Sequence, residues 1–224
     1  DNGYLNIKAK TIASDKYNNV WVGTEGKGIL IFKRKPIPLD SIQQDSKFDS
    51  LNKDLFPDYV LETDTITIKD DLTSNFIKKI LIQDRSVWIA TYTSGIIEMI
   101  YGKGGSTIKV WDYYGTKKGI RDLFITDLEE DEDGKIWYTT KSGNLGYIEK
   151  GQARSFYKIL EKEITITTLE VKENDIYLGT LGNGVLIVNK ESPREVKQLS
   201  GVKELNSQNI YQLIFDNENN LWVG

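Results

Sequence analysis

One recurring pattern limits what this chain can fold into. A polar turn leads into a short apolar run centred on an aromatic residue, and a glycine-bearing turn then leads into a second apolar run. Residues 15–32 form the first copy, and residues 84–99, 131–148 and 173–188 repeat it. A fifth copy occupies residues 216–224. With Trp21, Trp88, Trp137, Tyr177 and Trp222 as origins, the second position on holds Gly23, Ala90, Thr139, Gly179 and Gly224, and the third holds Thr24, Thr91, Thr140 and Thr180. The seventh holds Gly28, Gly95, Asn144 and Gly184, and the eighth Ile29, Ile96, Leu145 and Val185.

Each column has a physical reason. Gly and Asn enter the left-handed backbone region at least cost, so the seventh position is predicted to carry a positive φ in a hairpin turn. A small residue two places after the aromatic leaves room for a neighbouring backbone or a large ring. The anchors recur about every 40–50 residues after a longer first interval, which is the spacing of β-propeller blades. The expected fold is all-β: an incomplete β-propeller of four-stranded antiparallel blades, about four and a half of them. The blades divide the chain at 5–70, 71–116, 117–160, 161–200 and 201–224, the last one cut short. The first carries an insertion, residues 34–64, with Pro36, Pro38 and Pro57, and its outer strand is expected near 65–69. The turn before the anchor has two lengths: Asp15, Asp131 and Asp216 precede their Trp by six positions, Asp84 and Glu173 their anchor by four. A two-residue difference preserves which side chains face which way.

Composition removes several chemistries. With neither Cys nor His in the chain, disulfides, thiolate nucleophiles, the usual zinc sites and Ser-His-Asp triads are excluded. The net charge of −4, with Lys dispersed among Asp and Glu, gives no basic stripe for nucleic acid. No apolar run approaches the roughly 20 residues of a membrane helix. The acidic run from Glu129 to Asp133 would suit calcium by its oxygen ligands, but it lacks the ligand spacing of an EF-hand loop and reads as a solvated turn. No cofactor, metal site or catalytic residue is expected.

Residues 18–32 (NNVWVGTEGKGILIF), 134–148 (GKIWYTTKSGNLGYI), 175–188 (DIYLGTLGNGVLIV) and 219–224 (NNLWVG) resemble the two-component regulator propeller repeat. LTSNFI at 72–77 and LNSQNI at 205–210 resemble the connection into a blade's first strand in that family. The resemblance implies the periplasmic sensor region of a hybrid two-component system histidine kinase, a module that is not itself an enzyme. It further implies an oligosaccharide released from a glycan as signal, and the remaining blades of a longer parent protein as partners. The family has no universal catalytic or binding motif to carry over.

The repeated Trp residues are expected to be core, because a residue fixed in every blade is structural. Aromatics outside the columns are better ligand candidates. Tyr92 on the glycine-turn face, and Trp111, Tyr113 and Tyr114 with Arg121 around one blade-to-blade connection, would give a sugar stacking surfaces and directed hydrogen bonds. Against this stands the plainer reading that Trp111 and Tyr113 pack within an outer strand. An open last blade would expose strand edges suited to a homodimer. Two other functions stay open, a propeller enzyme (polysaccharide lyase or glycosidase) working through Tyr, Lys or carboxylates, and a scaffold for protein contacts.

Overall fold

The computed structural model describes residues 6–36, 59–102, 108–156, 163–199 and 208–224. Four four-stranded antiparallel sheets follow one another, each built by consecutive strands. The first is β1 (Ala9–Ser14), β2 (Val20–Thr24), β3 (Ile29–Pro36) and β4 (Tyr59–Ile66). The second is β5 (Ile77–Ile82), β6 (Ser86–Thr91), β7 (Ile96–Tyr101) and β8 (Ile108–Tyr114). The third is β9 (Ile125–Glu130), β10 (Ile136–Thr140), β11 (Leu145–Glu149) and β12 (Gln152–Phe156). The fourth is β13 (Thr165–Lys172), β14 (Asp175–Leu181), β15 (Val185–Asn189) and β16 (Val196–Gln198), and a two-stranded fifth sheet pairs β17 (Leu213–Phe215) with β18 (Leu221–Val223). The first strands of successive sheets lie side by side, β1 against β5, β5 against β9 and β9 against β13. This is the blade arrangement of a β-propeller.

Alternation along each strand sends one set of side chains to the preceding sheet and the other to the next. Apolar residues therefore gather in wedges between sheets. Trp21, Ile31, Ile80 and Met99 belong to the wedge between the first two; Trp137, Leu145, Leu169 and Leu186 belong to that between the third and fourth. Trp21 and Trp137 are each 1% exposed. In the fifth sheet Trp222 is 62% exposed.

The six-residue turn has a purpose beyond its length. Asp131 accepts backbone N–H bonds from Asp133 (3.0 Å) and Lys135 (2.9 Å) on Oδ1, and its Oδ2 accepts from the Trp137 indole at 2.8 Å. Asp15 and Asp216 hold Trp21 and Trp222 the same way, at 2.9 and 2.8 Å. In the short turn of the second sheet Gln83 substitutes, accepting from Trp88 Nε1 at 2.7 Å. The fourth anchor, Tyr177, has no indole N–H to satisfy. The next sheet reaches the same carboxylates: the Tyr101 hydroxyl donates to Asp15 at 3.2 Å and Lys190 Nζ lies 3.7 Å from Asp131. Asp131 thus sits within the acidic run as a buried latch, with its oxygens committed to these donors.

Several expectations need correction. The outer strand of the first sheet runs Tyr59–Ile66 and not near 65–69, because β3 continues to Pro36 and the two pair along their whole length. The ends of the 34–64 insertion are therefore strand, and residues 37–58 lie outside the described residues. Thr67 instead caps a single 3-10 turn at Ile68–Asp70. Positive φ is found at Gly28, Gly95 and Gly184, but the third copy places it at Gly143 (φ 76°), one residue before Asn144. There the Gly143 N–H bonds back to the Thr140 carbonyl, closing a tighter turn.

A further regularity is a β-bulge near the start of the first strand of each four-stranded sheet. Lys10, Lys78, Thr126 and Thr167 are the extra residues, one in each of these four sheets. The bulge re-aims the residue that follows toward the neighbouring blade. Lys79 Nζ meets Asp127 at 2.9 Å, and Asp127 Oδ2 accepts from Thr168 Oγ1 at 2.8 Å and from the Leu169 N–H at 3.1 Å.

Candidate functional site

The glycine turns and the connections between sheets share one face. Gly26 and Gly28 both donate to the Asn75 carbonyl, and Gly182 and Gly184 to that of Gln208. On this face the residue after the column threonine lies beside the residue that enters a first strand. Tyr92 N–H donates to the Phe76 carbonyl at 3.0 Å, and Lys141 N–H to that of Phe124 at 2.9 Å. These two backbone contacts set three exposed rings in a row across the second and third sheets: Phe76, Tyr92 and Phe124, at 50%, 47% and 37% exposure. Tyr92 meets Phe124 edge to face, with ring centres 6.3 Å apart. Lys141 Nζ lies 5.4 Å from the centre of the Phe124 ring.

Asp122 closes one side of this strip. Its carboxylate accepts from the Phe124 N–H (2.9 Å), the Ser142 N–H (3.0 Å) and the Ser142 hydroxyl. Burial works to raise the Asp122 pKa, but the Ser142 hydroxyl and these N–H donors outweigh it and hold the carboxyl below its ordinary value. The face therefore offers aromatic surfaces beside a fixed anion and an ammonium, which suits a polyhydroxylated ligand by stacking and hydrogen bonding.

The residues singled out from the sequence are dispersed by the fold. Tyr92 stands in the strip. Trp111 is the extra residue of a β-bulge in β8, where Glu98 pairs with Asp112 and Met99 with Val110, and it is 65% exposed on that outer strand. Tyr113 is half-exposed, its ring folded over Gly115. Tyr114 is 1% exposed: its ring packs on Trp88 at 5.4 Å and its hydroxyl donates to Glu98 at 3.0 Å, so it belongs to the core and presents no binding surface. Arg121 lies exposed in the connection that leads to β9. Among the described residues, no ring contact joins Tyr92 to Trp111 or Tyr113. Sequence reading missed Phe76 and Phe124, although a column signal was present: each immediately precedes the isoleucine that opens a first strand, Ile77 and Ile125.

A second polar group lies along the inner strands. Burial raises Glu129 on β9 to a pKa of about 7, reinforced by Glu170 and Asp127 and opposed by Lys79. Burial likewise raises Glu170 on β13 to about 7, with Lys79 opposing and Asp127 adding to the shift. A carboxyl raised above its unfolded value binds a proton more readily in the folded state, so its contribution is fully present below about pH 4.5 and is lost as pH rises through about 7. Stability is expected to fall across that window. Glu129→Gln should flatten part of the slope and stabilise the protein at pH 8 by about 1–3 kcal/mol, read from urea unfolding at several pH values. An unchanged slope in the variant would count against burial of this carboxyl.

Comparison with known proteins agrees with the fold. Residues 204–224 match the family Two component regulator propeller. That stretch contains the fifth copy of the repeated sequence pattern. The resemblance drawn from the repeat columns is thus shown for the copy with the exposed Trp222. Among solved structures, the extracellular domain of BT4673 from B. thetaiotaomicron, described as a hybrid two component system, aligns with a TM-score of 0.65 and 17% identity, covering 96% of this chain and 26% of that one. The extracellular domain of BT3049 from the same organism gives 0.64 and 16%, covering 97% and 27%. Virginiamycin B lyase from Staphylococcus aureus, in a form made catalytically inactive by loss of a histidine, gives 0.65 and 14%, covering 99% and 64%. This chain spans about a quarter of the length of the two extracellular domains. No curated protein sequence matches it.

Proposed function

We propose that this chain is a ligand-sensing propeller segment of a hybrid two-component system receptor, facing the periplasm, and that it reads a glycan-derived oligosaccharide on its glycine-turn face without chemically altering it. The observation that carries this reading is the strip Phe76, Tyr92 and Phe124, three exposed rings from successive elements beside Asp122 and Lys141. Support for the receptor comes from the two component regulator propeller repeat at 204–224. Further blades are the proposed neighbours of the outer sheets. Ile12 and Trp222 are exposed there at columns whose counterparts, Ile80 and Trp21, are buried against an adjacent sheet.

The lyase that shares this fold depends on a histidine, and this chain has none, which favours binding over turnover. The test is calorimetry against a panel of glycan oligosaccharides, with product analysis alongside. Saturable binding without new products is expected. Tyr92→Ala and Phe124→Ala should each weaken it by roughly 1–3 kcal/mol, a range typical of stacking anchors. Affinity unchanged in both variants would remove the strip from the reading, and released products would replace the sensor with an enzyme.

A further inference from the structure

The wedge between the first two sheets is filled differently from its neighbours. In the third sheet Tyr147 stands opposite Trp137, and Phe156, from the outermost strand, stacks on that indole with ring centres 6.5 Å apart. In the second sheet the outermost-strand position is Tyr114, which packs on Trp88. In the first sheet the same two columns hold Ile31, opposite Trp21, and Ile66, opposite Ile29. Aliphatic residues replace rings, and a cavity of about 350 Å³ is left between the sheets.

Its lining has two characters. Ile31 and Ile66 from the first sheet and Met99 and Ile108 from the second make an apolar wall. Lys33 and Asp64, one step along the same faces of β3 and β4, form an ion pair at its edge. The deeper carboxylate, Asp15, already accepts from Trp21, Asn19 and Tyr101, so it has little left to offer a guest. Among the described residues, Asp15, Asp64 and Asp70 face the cavity against the single ammonium of Lys33, and this balance disfavours an anion. The volume is at the lower end of the about 300–1,000 Å³ of small-molecule sites, enough for one ring.

The geometry points to a binding site for a single neutral polyol ring of pyranose size, its C–H face on the aliphatic wall and a pair of adjacent hydroxyls spanning Lys33 and Asp64. The ammonium donates to one hydroxyl and the carboxylate accepts from the other, so the ion pair is extended and not broken. This site lies apart from the glycine-turn strip and does not depend on it.

The test titrates the 224-residue chain with D-glucose and, separately, with D-glucuronate, following amide, indole and aromatic resonances. Glucose is expected to shift the signals of Trp21 and Tyr101 and to leave that of Tyr92 in place, with glucuronate at least about tenfold weaker through its charge. The double variant Ile31→Tyr, Ile66→Phe reproduces the filling of the third sheet and should abolish these shifts while leaving the melting temperature unchanged or higher. Asp64→Asn, which adds no bulk, should weaken glucose by about tenfold and serves if the filled variant does not fold. Absence of shifts at Trp21 and Tyr101, equal binding of glucuronate, shifts that persist in the filled variant, or undiminished glucose affinity in Asp64→Asn would each overturn the assignment.

Discussion

Trp137→Ala is expected to lower the unfolding free energy by about 3–5 kcal/mol, whereas Trp222→Ala should cost less than about 1. The two residues share a repeat column and a hydrogen bond. Each indole N–H donates at 2.8 Å to the carboxylate six residues earlier. They differ in burial, at 1% and 62% exposure. Trp137 is held between the third and fourth sheets, 5.0 Å from the Tyr147 ring and stacked on Phe156, so its removal opens a void that close-packed neighbours cannot collapse into. Trp222 leaves little void because little packs on it. Urea midpoints of the two variants measure the difference directly, and equal losses would mean that the column acts through its hydrogen bond and not through packing.

The same contrast shows which parts of the molecule were legible in the sequence. Strand order, sheet composition and the positions of the anchors follow from local patterns: alternation with period two, a small residue after the aromatic, and glycine at the turn. What lies across a wedge is not local. The column of Trp21 and Trp137 does not say that Tyr147 and Phe156 fill one gap while Ile31 and Ile66 leave another partly empty. The six-residue spacing from Asp to Trp was visible, but its meaning needed the indole to be seen folding back on the carboxylate. Gln83 shows how a shorter turn reaches the same end with a longer side chain.

The candidate site was less legible for a related reason. Period-two reasoning puts Trp111 and Tyr113 on one face of β8 and Tyr114 on the other. The strand keeps that alternation through the bulge at Trp111, with Lys109, Trp111 and Tyr113 outward and Tyr114 inward; what the sequence does not say is which of the two faces is covered by the core. Tyr114 then enters the core, where burial and the nearby Glu98 push its phenol well above the ordinary value. Tyr92 was found because it stands outside the columns. Phe76 and Phe124 stand inside one, the entry to the first strand, which looked like a connection and proves to be a surface.

Asp131→Ala is expected to cost about 3–5 kcal/mol, as much as removing the tryptophan it holds. The side chain of Asp131 is wholly buried, and it satisfies two backbone N–H groups and the indole at once, with the Lys190 ammonium nearby. Alanine would strand all of these donors in a region that water does not reach freely, and an uncompensated buried donor costs more than the hydrogen bond gained on folding. Asp84, in the four-residue turn, has a side chain 92% exposed and among the described residues makes only a 3.8 Å contact with Lys16, so Asp84→Ala should change stability by less than about 0.5 kcal/mol. Because Asp131 and Trp137 touch, their losses should not add: the double variant should be less destabilised than the sum by about 1–3 kcal/mol. Strict additivity in that cycle would mean that the carboxylate and the indole stabilise the blade independently, and the latch would lose its place in explaining why aspartate stands six residues before tryptophan.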